Sequence, residues 1–433
     1  MVDTDELNVW YEQQLVGFLW KNDLDRMGFR YDEGWLENEL RFPISVQLPL
    51  QELEFLPDQG IAHRFFANLL PEGQARTSIV NSLKIPNSDF SLVKAIGGEC
   101  AGALSILPYN ALPLSPDDWE YEPLTTDKLS QLIKRRGSIY SFSKKTGVPV
   151  RLSLAGAQDK LPILIKNGEF FLPQNEAPTS HILKFTVTDL SHVPAYETVL
   201  TMLARKINLP VVEMKLQTLN GLPMERPDDS FVVIKRYDRI VDETGKIRRL
   251  HQEDFCQALG YGYDKKYQGQ GGPSFVDCLN LLREQSDDPA NDSELLLQWQ
   301  LFNLLAGNSD GHAKNLSFLS LEQNSRQLSP FYDLVCTRAI DHIDVALAFA
   351  IGGQLDPGQI KKKNWDAFAQ ECDTNRKYLI GLVKDQAENI LAMLPHTLDE
   401  FNEQYGEYKA LQRVEKIISK QCKNTLRDLK AVS

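Results

Sequence analysis

Alternation and helical periodicity divide the middle of the chain into a readable series of elements. Leu161 to Ile165 and Glu169 to Leu172 are apolar-rich runs separated by Asn167-Gly168, a pair that supplies the two positive φ angles of a type I′ turn, so they predict a β-hairpin. His181-Ile182-Leu183-Lys184-Phe185 predicts a short apolar strand interrupted by one lysine. Pro194 opens a predicted helix to Asn208 that collects Tyr196, Val199, Leu200, Leu203 and Ile207 on one face, and Val211 to Leu216 and Phe231 to Tyr237 follow as strands. Farther on, Leu295, Leu296, Trp299, Phe302, Leu304 and Leu305 make a helix apolar nearly all round, opened by Asp292-Ser293 and closed by Gly307-Asn308. Such a helix has to be buried. Leu316 to Leu321 predicts a strand, Glu322 to Arg326 a turn, and Gln327 to Phe331 a return strand.

The candidate chemistry gathers around this helix and hairpin. Ser309-Asp310-Gly311-His312-Ala313-Lys314-Asn315 follows the helix, and Pro330-Phe331-Tyr332-Asp333-Leu334 ends the hairpin. In protein kinases an Asp that accepts the substrate hydroxyl proton lies five residues before an Asn that binds Mg²⁺, and a second Asp holds the metal against the phosphates. Asp310 and Asn315 have that spacing, and a hairpin would bring Asp333 to the same end. Taken alone the loop is more often a chemically silent Asx-rich turn after a helix cap. The upstream order adds to it, because hairpin, lysine-bearing strand, helix and two strands is the order of a kinase small lobe. In that arrangement Lys184 would contact the nucleotide phosphates, Glu197 could orient it, and Lys235-Arg236-Tyr237 would be the hinge offering backbone groups to adenine. A lone lysine in a strand is otherwise an ordinary snorkelling side chain. The small residues of Ala155-Gly156-Ala157-Gln158-Asp159-Lys160 could let backbone amides approach a phosphate, although the run matches neither common phosphate-loop pattern. Gly97-Gly98-Glu99-Cys100-Ala101-Gly102 competes for that role, but Glu99 is unwelcome beside phosphates, and the segment is read as a structural turn.

Leu154 to Lys160, the Asp310 to Asn315 loop and Pro330-Phe331-Tyr332-Asp333 together resemble the HipA family of bacterial serine/threonine kinases, the toxins of HipA–HipB toxin–antitoxin modules. Ala67 to Gly73 and Gly97 to Ala103 look like that family's additional N-terminal subdomain. The resemblance implies an α+β, two-lobed protein-kinase-like (HipA-type) fold with an extra mostly β N-terminal subdomain and a helical C-terminal lobe. It implies ATP and Mg²⁺ as cofactors, with the phosphate loop at Ala155, Gly156, Ala157, Gln158, Asp159 and Lys160. The nucleotide lysine would be Lys184, the hinge Lys235 to Tyr237, the catalytic acid Asp310, and the metal ligands Asn315 and Asp333. His312, Lys314 and Tyr332 would line the nucleotide site; for His312 a packing role is preferred, since Asp310 already supplies the base. Ser153 maps to the family's autophosphorylated serine. Lys235 departs from the family, which often has an acidic residue there. The implied partners are a HipB-like helix-turn-helix antitoxin dimer, operator DNA through that complex, and glutamyl-tRNA synthetase as a protein substrate, with growth arrest or antibiotic tolerance as the outcome. Two other readings fit the same residues: a small-molecule phosphotransferase, or mainly a non-enzymatic co-repressor.

Length and charge bound this picture. A chain of 433 residues should form two or three globular units, placed at residues 1–115, 116–240 and 241–433. The formal net charge of −12 argues against a free-standing nucleic-acid binder, whose affinity would rest on neutralising phosphates. Any DNA contact is expected to be local, at Lys361-Lys362-Lys363 or along a terminal helix with Arg413, Lys416, Lys420, Lys423, Arg427 and Lys430. The six cysteines contain no C-x-x-C pair, so neither zinc nor a disulfide framework is suggested. Met1 to Asp5 lacks a basic leader, and no apolar run reaches the roughly 20 residues that span a bilayer. A cytoplasmic bacterial protein, without membrane contact, is expected.

Overall fold

The computed structural model describes residues 6–135, 160–186, 192–322 and 324–430. It divides into two compact units, one of residues 1–185, 233–264 and 317–326, the other of residues 186–232, 265–316 and 327–433.

The first unit begins with β1 (Glu6–Tyr11), β2 (Gln14–Lys21), β3 (Met27–Tyr31), β4 (Glu54–Phe55) and β5 (Leu104–Pro108), an antiparallel sheet in the order β4-β3-β2-β1-β5. Leu7, Val9, Val16, Leu19, Met27 and Phe29 of these strands are buried, β3 packing on the helix Ile61–Ala67 and β5 on the helix Asp89–Ile96. The expected β subdomain thus carries helical cover between β4 and β5. A second sheet holds β6 (Tyr121–Pro123), β7 (Lys160–Lys166), β8 (Glu169–Pro173), β9 (His181–Phe185) and the end of the strand Phe231–Lys235, in the order Phe231–Lys235, β9, β7, β8, β6. Asn167 and Gly168 take φ values of +53° and +81°, the left-handed pair that closes β7 and β8 into the predicted hairpin. His251–Asp254 pairs with Ser317–Ser320 in antiparallel register.

The second unit is mainly helical, with Val193–Lys206, Phe275–Gln285, Pro289–Ala306, Lys362–Glu371, Arg376–Tyr405 and Leu411–Lys430. Its centre is Pro289–Ala306, in which Leu296, Leu297, Trp299, Leu301, Phe302, Leu304 and Leu305 are all buried. This helix starts one turn before the predicted Asp292-Ser293. Asp288 caps it by accepting from Asn291 N at 3.3 Å, while Asp292 lies inside, buried, accepting from Ser286 Oγ at 2.6 Å and Leu328 N at 2.8 Å. Pro289 explains the earlier start, because it fits a first helical turn whose N–H has no partner in any case.

Two predicted strands are shortened for a common reason. The return strand covers only Gln327–Leu328, since Pro330 has no N–H for a ladder. Phe331 instead bridges in parallel to Val211, with Phe331 N donating to Pro210 O at 2.8 Å and Val212 N donating to Phe331 O at 3.1 Å. Val211 is thereby drawn off the predicted strand, which begins at Met214. Among the described residues no helix is long and apolar enough to cross a membrane.

Candidate active site

The loop that carries Asp310 is built by its neighbours in sequence. The helix Pro289–Ala306 ends on Gly307, whose φ of +75° makes a left-handed cap. Asn308 then reverses the chain: its amide N donates to Asn303 O at 2.9 Å, its Nδ2 donates to Asn303 Oδ1 at 3.0 Å, and its Oδ1 accepts from Asp310 N at 3.1 Å. Ser309 N donates to Thr337 Oγ1 at 2.7 Å. Gly311 admits no side chain, because a Cβ there would meet Asn303 Nδ2 at 2.5 Å and Asn303 Cγ at 2.9 Å. Asn315 Nδ2 donates to Asp310 O at 2.9 Å, which makes the five-residue spacing of these two residues a physical contact. Tyr332 OH donates to Lys314 O at 3.0 Å, tying the segment of Asp333 to the loop.

Asp333 has φ +55°, uncommon for a residue with a side chain. Two residues upstream, Phe331 is held by hydrogen bonds to Pro210 and Val212 and stacks on Trp299 at 5.8 Å. Backbone held in this region by its surroundings is a feature of functional loops.

The carboxylate of Asp310 is about half exposed, at 51 %. Tyr267 OH donates to its Oδ1 at 2.5 Å, and His312 Nε2 stands 3.9 Å from the same oxygen. His312 is buried edge-on to the Tyr267 ring, with centroids 5.1 Å apart. Burial first, then the Lys266 and Lys314 ammonium groups, hold its imidazole well below the usual 6.5, so at neutral pH it is uncharged. This agrees with a packing role and removes His312 as a competing cation beside Asp310. Tyr267 has no place in the sequence reading; only the Gly-rich run Gln268-Gly269-Gln270-Gly271-Gly272 after it hinted at a tight turn.

In the first unit Lys160 and Lys184 are direct partners across the β7–β9 ladder. Lys184 is buried at 4 % exposure. Lys235 is exposed at the strand end. The Arg236 amide N donates to Ser180 O at 3.0 Å, so that one backbone group of the expected hinge is engaged within the protein. The Arg236 side chain is sequestered in an ion cluster, with Nη1 2.9 Å from Glu99 Oε1 and Nη2 2.8 Å from Asp238 Oδ2. Arg239 joins the same two carboxylates at 3.0 and 2.9 Å, and Gly102 N donates to Asp238 Oδ2 at 2.8 Å. The Gly97 to Gly102 segment is therefore a structural turn. Tyr237 OH donates to Gln252 Oε1. Glu197 is buried on the helix Val193–Lys206 in the second unit. Ser153, Ala155, Gly156, Ala157, Gln158 and Asp159 lie outside the described residues.

Model sequences of the HipA-like C-terminal domain match residues 152–397, more than half of the chain, and those of the HipA N-terminal domain match residues 7–107. The chain belongs to the HipA family. The putative kinase Y4mE of Sinorhizobium fredii is 35% identical over 401 residues, covering 91% of this chain and 93% of the relative. The serine/threonine-protein kinase toxin HipA of Shewanella oneidensis is 29% identical over 399 residues, covering 87% of this chain and 86% of that one. A structure of Shewanella oneidensis HipA with HipB and operator DNA matches with a TM-score of 0.81 at 25% identity, covering 98% of this chain and 99% of the other. The chain thus has the α+β, kinase-like HipA fold, and the relatives it matches are named as a kinase toxin and as a putative kinase.

Proposed function

We propose that the chain is an ATP- and Mg²⁺-dependent protein serine/threonine kinase acting as the toxin of a type II toxin–antitoxin pair. The observation that carries this reading is the Asp310 to Asn315 loop, which presents a half-exposed carboxylate from a backbone held by hydrogen bonds after a buried helix. Asp310 would orient the acceptor serine or threonine and take its proton as the acceptor oxygen bonds to the γ-phosphorus of ATP and the bond to ADP breaks. Because Asn315 Nδ2 is committed to Asp310 O, its Oδ1 is the amide atom left to face a cation. That oxygen and the Asp333 carboxylate are hard donors of the kind Mg²⁺ takes, and both residues would hold the ion. When bound, Mg²⁺ neutralises charge developing on the phosphates. Lys184 and Lys160 would meet the phosphates, and the segment Lys235 to Tyr237 would meet adenine through groups other than the Arg236 amide.

Ser153 is proposed as the self-modified residue. A phosphate there adds about −1.5 to −2 charges beside a polyanion site, which would oppose ATP binding. The HipB–operator complex of the Shewanella relative supports a HipB-like helix-turn-helix dimer as partner and DNA contact through it. Lys416, Lys420, Lys423 and Arg427, exposed at helical spacing on Leu411–Lys430, are a surface that such a contact could use. A translation factor such as glutamyl-tRNA synthetase is the proposed protein substrate, in the bacterial cytoplasm.

The test is ATP binding by calorimetry with Mg²⁺ and with EDTA. Wild type should bind more tightly with Mg²⁺, Asp333→Ala should lose that dependence, and Lys184→Met should weaken binding under both conditions. Binding indifferent to Mg²⁺ and to both substitutions would overturn the reading.

A further inference from the structure

The tyrosine on the Asp310 carboxylate is delivered by a turn built for that placement. Gln270 N and Gly272 N both donate to Tyr267 O at 3.0 Å, and Gln268 N donates to Ala348 O at 3.2 Å. Gln268 Oε1 accepts from Ala350 N at 2.8 Å, so the turn is pinned to the 348–350 segment by main chain and side chain together. Gly272 closes it too tightly for any side chain, since a Cβ would lie 2.3 Å from Lys265 O and 2.8 Å from Tyr267 O. The phenol ring rests edge-on against His312, and Lys266 Nζ lies 5.7 Å from its centroid. From this support the Tyr267 hydroxyl donates to Asp310 Oδ1 at 2.5 Å.

A half-exposed carboxylate turns about two side-chain bonds, whereas a base must meet its acceptor in a narrow range of geometry. His312 is neutral and 3.9 Å from Oδ1, too far to hold it by a hydrogen bond. Tyr267 is within hydrogen-bond reach and comes from a turn tied to the 348–350 segment. We propose that Tyr267 is a positioning residue for the phosphoryl transfer: its hydroxyl, donating to Oδ1, fixes the Asp310 carboxylate toward the incoming substrate hydroxyl. This rests on the kinase reading and assigns Tyr267 no contact with ATP.

The experiment measures transfer of labelled phosphate from γ-labelled ATP to the full-length protein itself, over a range of ATP concentrations with Mg²⁺. Wild type, Tyr267→Phe, Tyr267→Ala, Asp310→Asn and the Asp310→Asn/Tyr267→Phe double variant are compared, with thermal melts as folding controls. Tyr267→Phe keeps the ring and loses the hydroxyl. The rate at saturating ATP should fall about ten-fold, the worth of a hydrogen bond to a charged group discounted for its exposure, while the half-saturating ATP concentration and the melt stay at wild-type values. In the Asp310→Asn background the same change should cost nothing more, because the tyrosine acts through that carboxylate. A Tyr267→Phe rate equal to wild type, with only Tyr267→Ala impaired, would reduce Tyr267 to packing and overturn the inference alone. So would a loss that persists undiminished in the Asp310→Asn background. Wild-type protein that transfers no phosphate would overturn the kinase reading and this inference with it.

Discussion

Glu99 is wholly buried and meets three guanidinium groups, those of Arg236 at 2.9 Å, Arg239 at 3.0 Å and Arg249 at 3.1 Å. It also accepts from Thr179 N at 3.1 Å and Thr179 Oγ1 at 3.0 Å. Asp238 is the second carboxylate of the cluster. Glu99→Gln preserves shape and the Thr179 contacts but leaves Asp238 alone to compensate three buried cations. Removing one partner of a buried ion pair costs about 3–5 kcal/mol, and the retained hydrogen bonds place this change near the lower end. With a urea dependence of about 2–3 kcal/mol per molar, the unfolding midpoint of the first unit should fall by about 1–1.5 M. Hydrogen exchange of β5 and β9 in increasing urea reads that unit directly. Burial pushes the Glu99 carboxyl up, but Arg239, Arg249 and Arg236 together outweigh it and hold the group below its usual 4.5. Its contribution is therefore complete above pH 4.5 and is lost as pH falls through the lower folded value. The gap between wild type and Glu99→Gln should persist at pH 5 to 8 and close only in stronger acid. An unchanged midpoint at neutral pH would refute the reasoning.

Glu253 should show the opposite pH dependence, since burial raises its carboxyl to about 7 against lesser lowering by Ser45, Arg326 and Val46. The folded state then holds the proton more tightly, and stability drops as pH rises from 4.5 to 7. Glu253→Gln, which can keep the hydrogen bond from Val46 N, should remove that slope and stabilise the first unit at pH 8 by up to about 3 kcal/mol, measured as urea midpoints at pH 5 and pH 8. Gly311→Ala should cost about 1–3 kcal/mol through its clash with Asn303. It should also lower the phosphate-transfer rate more than the melting temperature would suggest, as seen by comparing the two in one preparation.

What was legible in the sequence was local. Asn167-Gly168 wrote its turn in two residues, the apolar helix before Asp310 announced its own burial, and the five-residue spacing of Asp310 and Asn315 became a hydrogen bond. Partners distant in sequence were not legible. Nothing in Lys235-Arg236-Tyr237 discloses that the Arg236 side chain meets Glu99, which reaches it from 137 residues away. Tyr267 stands 43 residues before Asp310 in a turn without hydrophobic period, so no pattern could point to its hydroxyl. The start of Pro289–Ala306 was misplaced because Asp292 resembles a cap, although its carboxylate serves Ser286 and Leu328 instead.

The most direct measurement of the central claim is phosphate transfer by wild type and Asp310→Asn with γ-labelled ATP and Mg²⁺, followed by mapping of the labelled peptide. Wild type should label itself on Ser153, and Asp310→Asn should be slower by about 10²–10⁴-fold, as expected for losing a positioned base. Equal labelling of the two proteins would contradict Asp310 as the catalytic residue, and no labelling of wild type despite bound ATP would contradict the kinase itself.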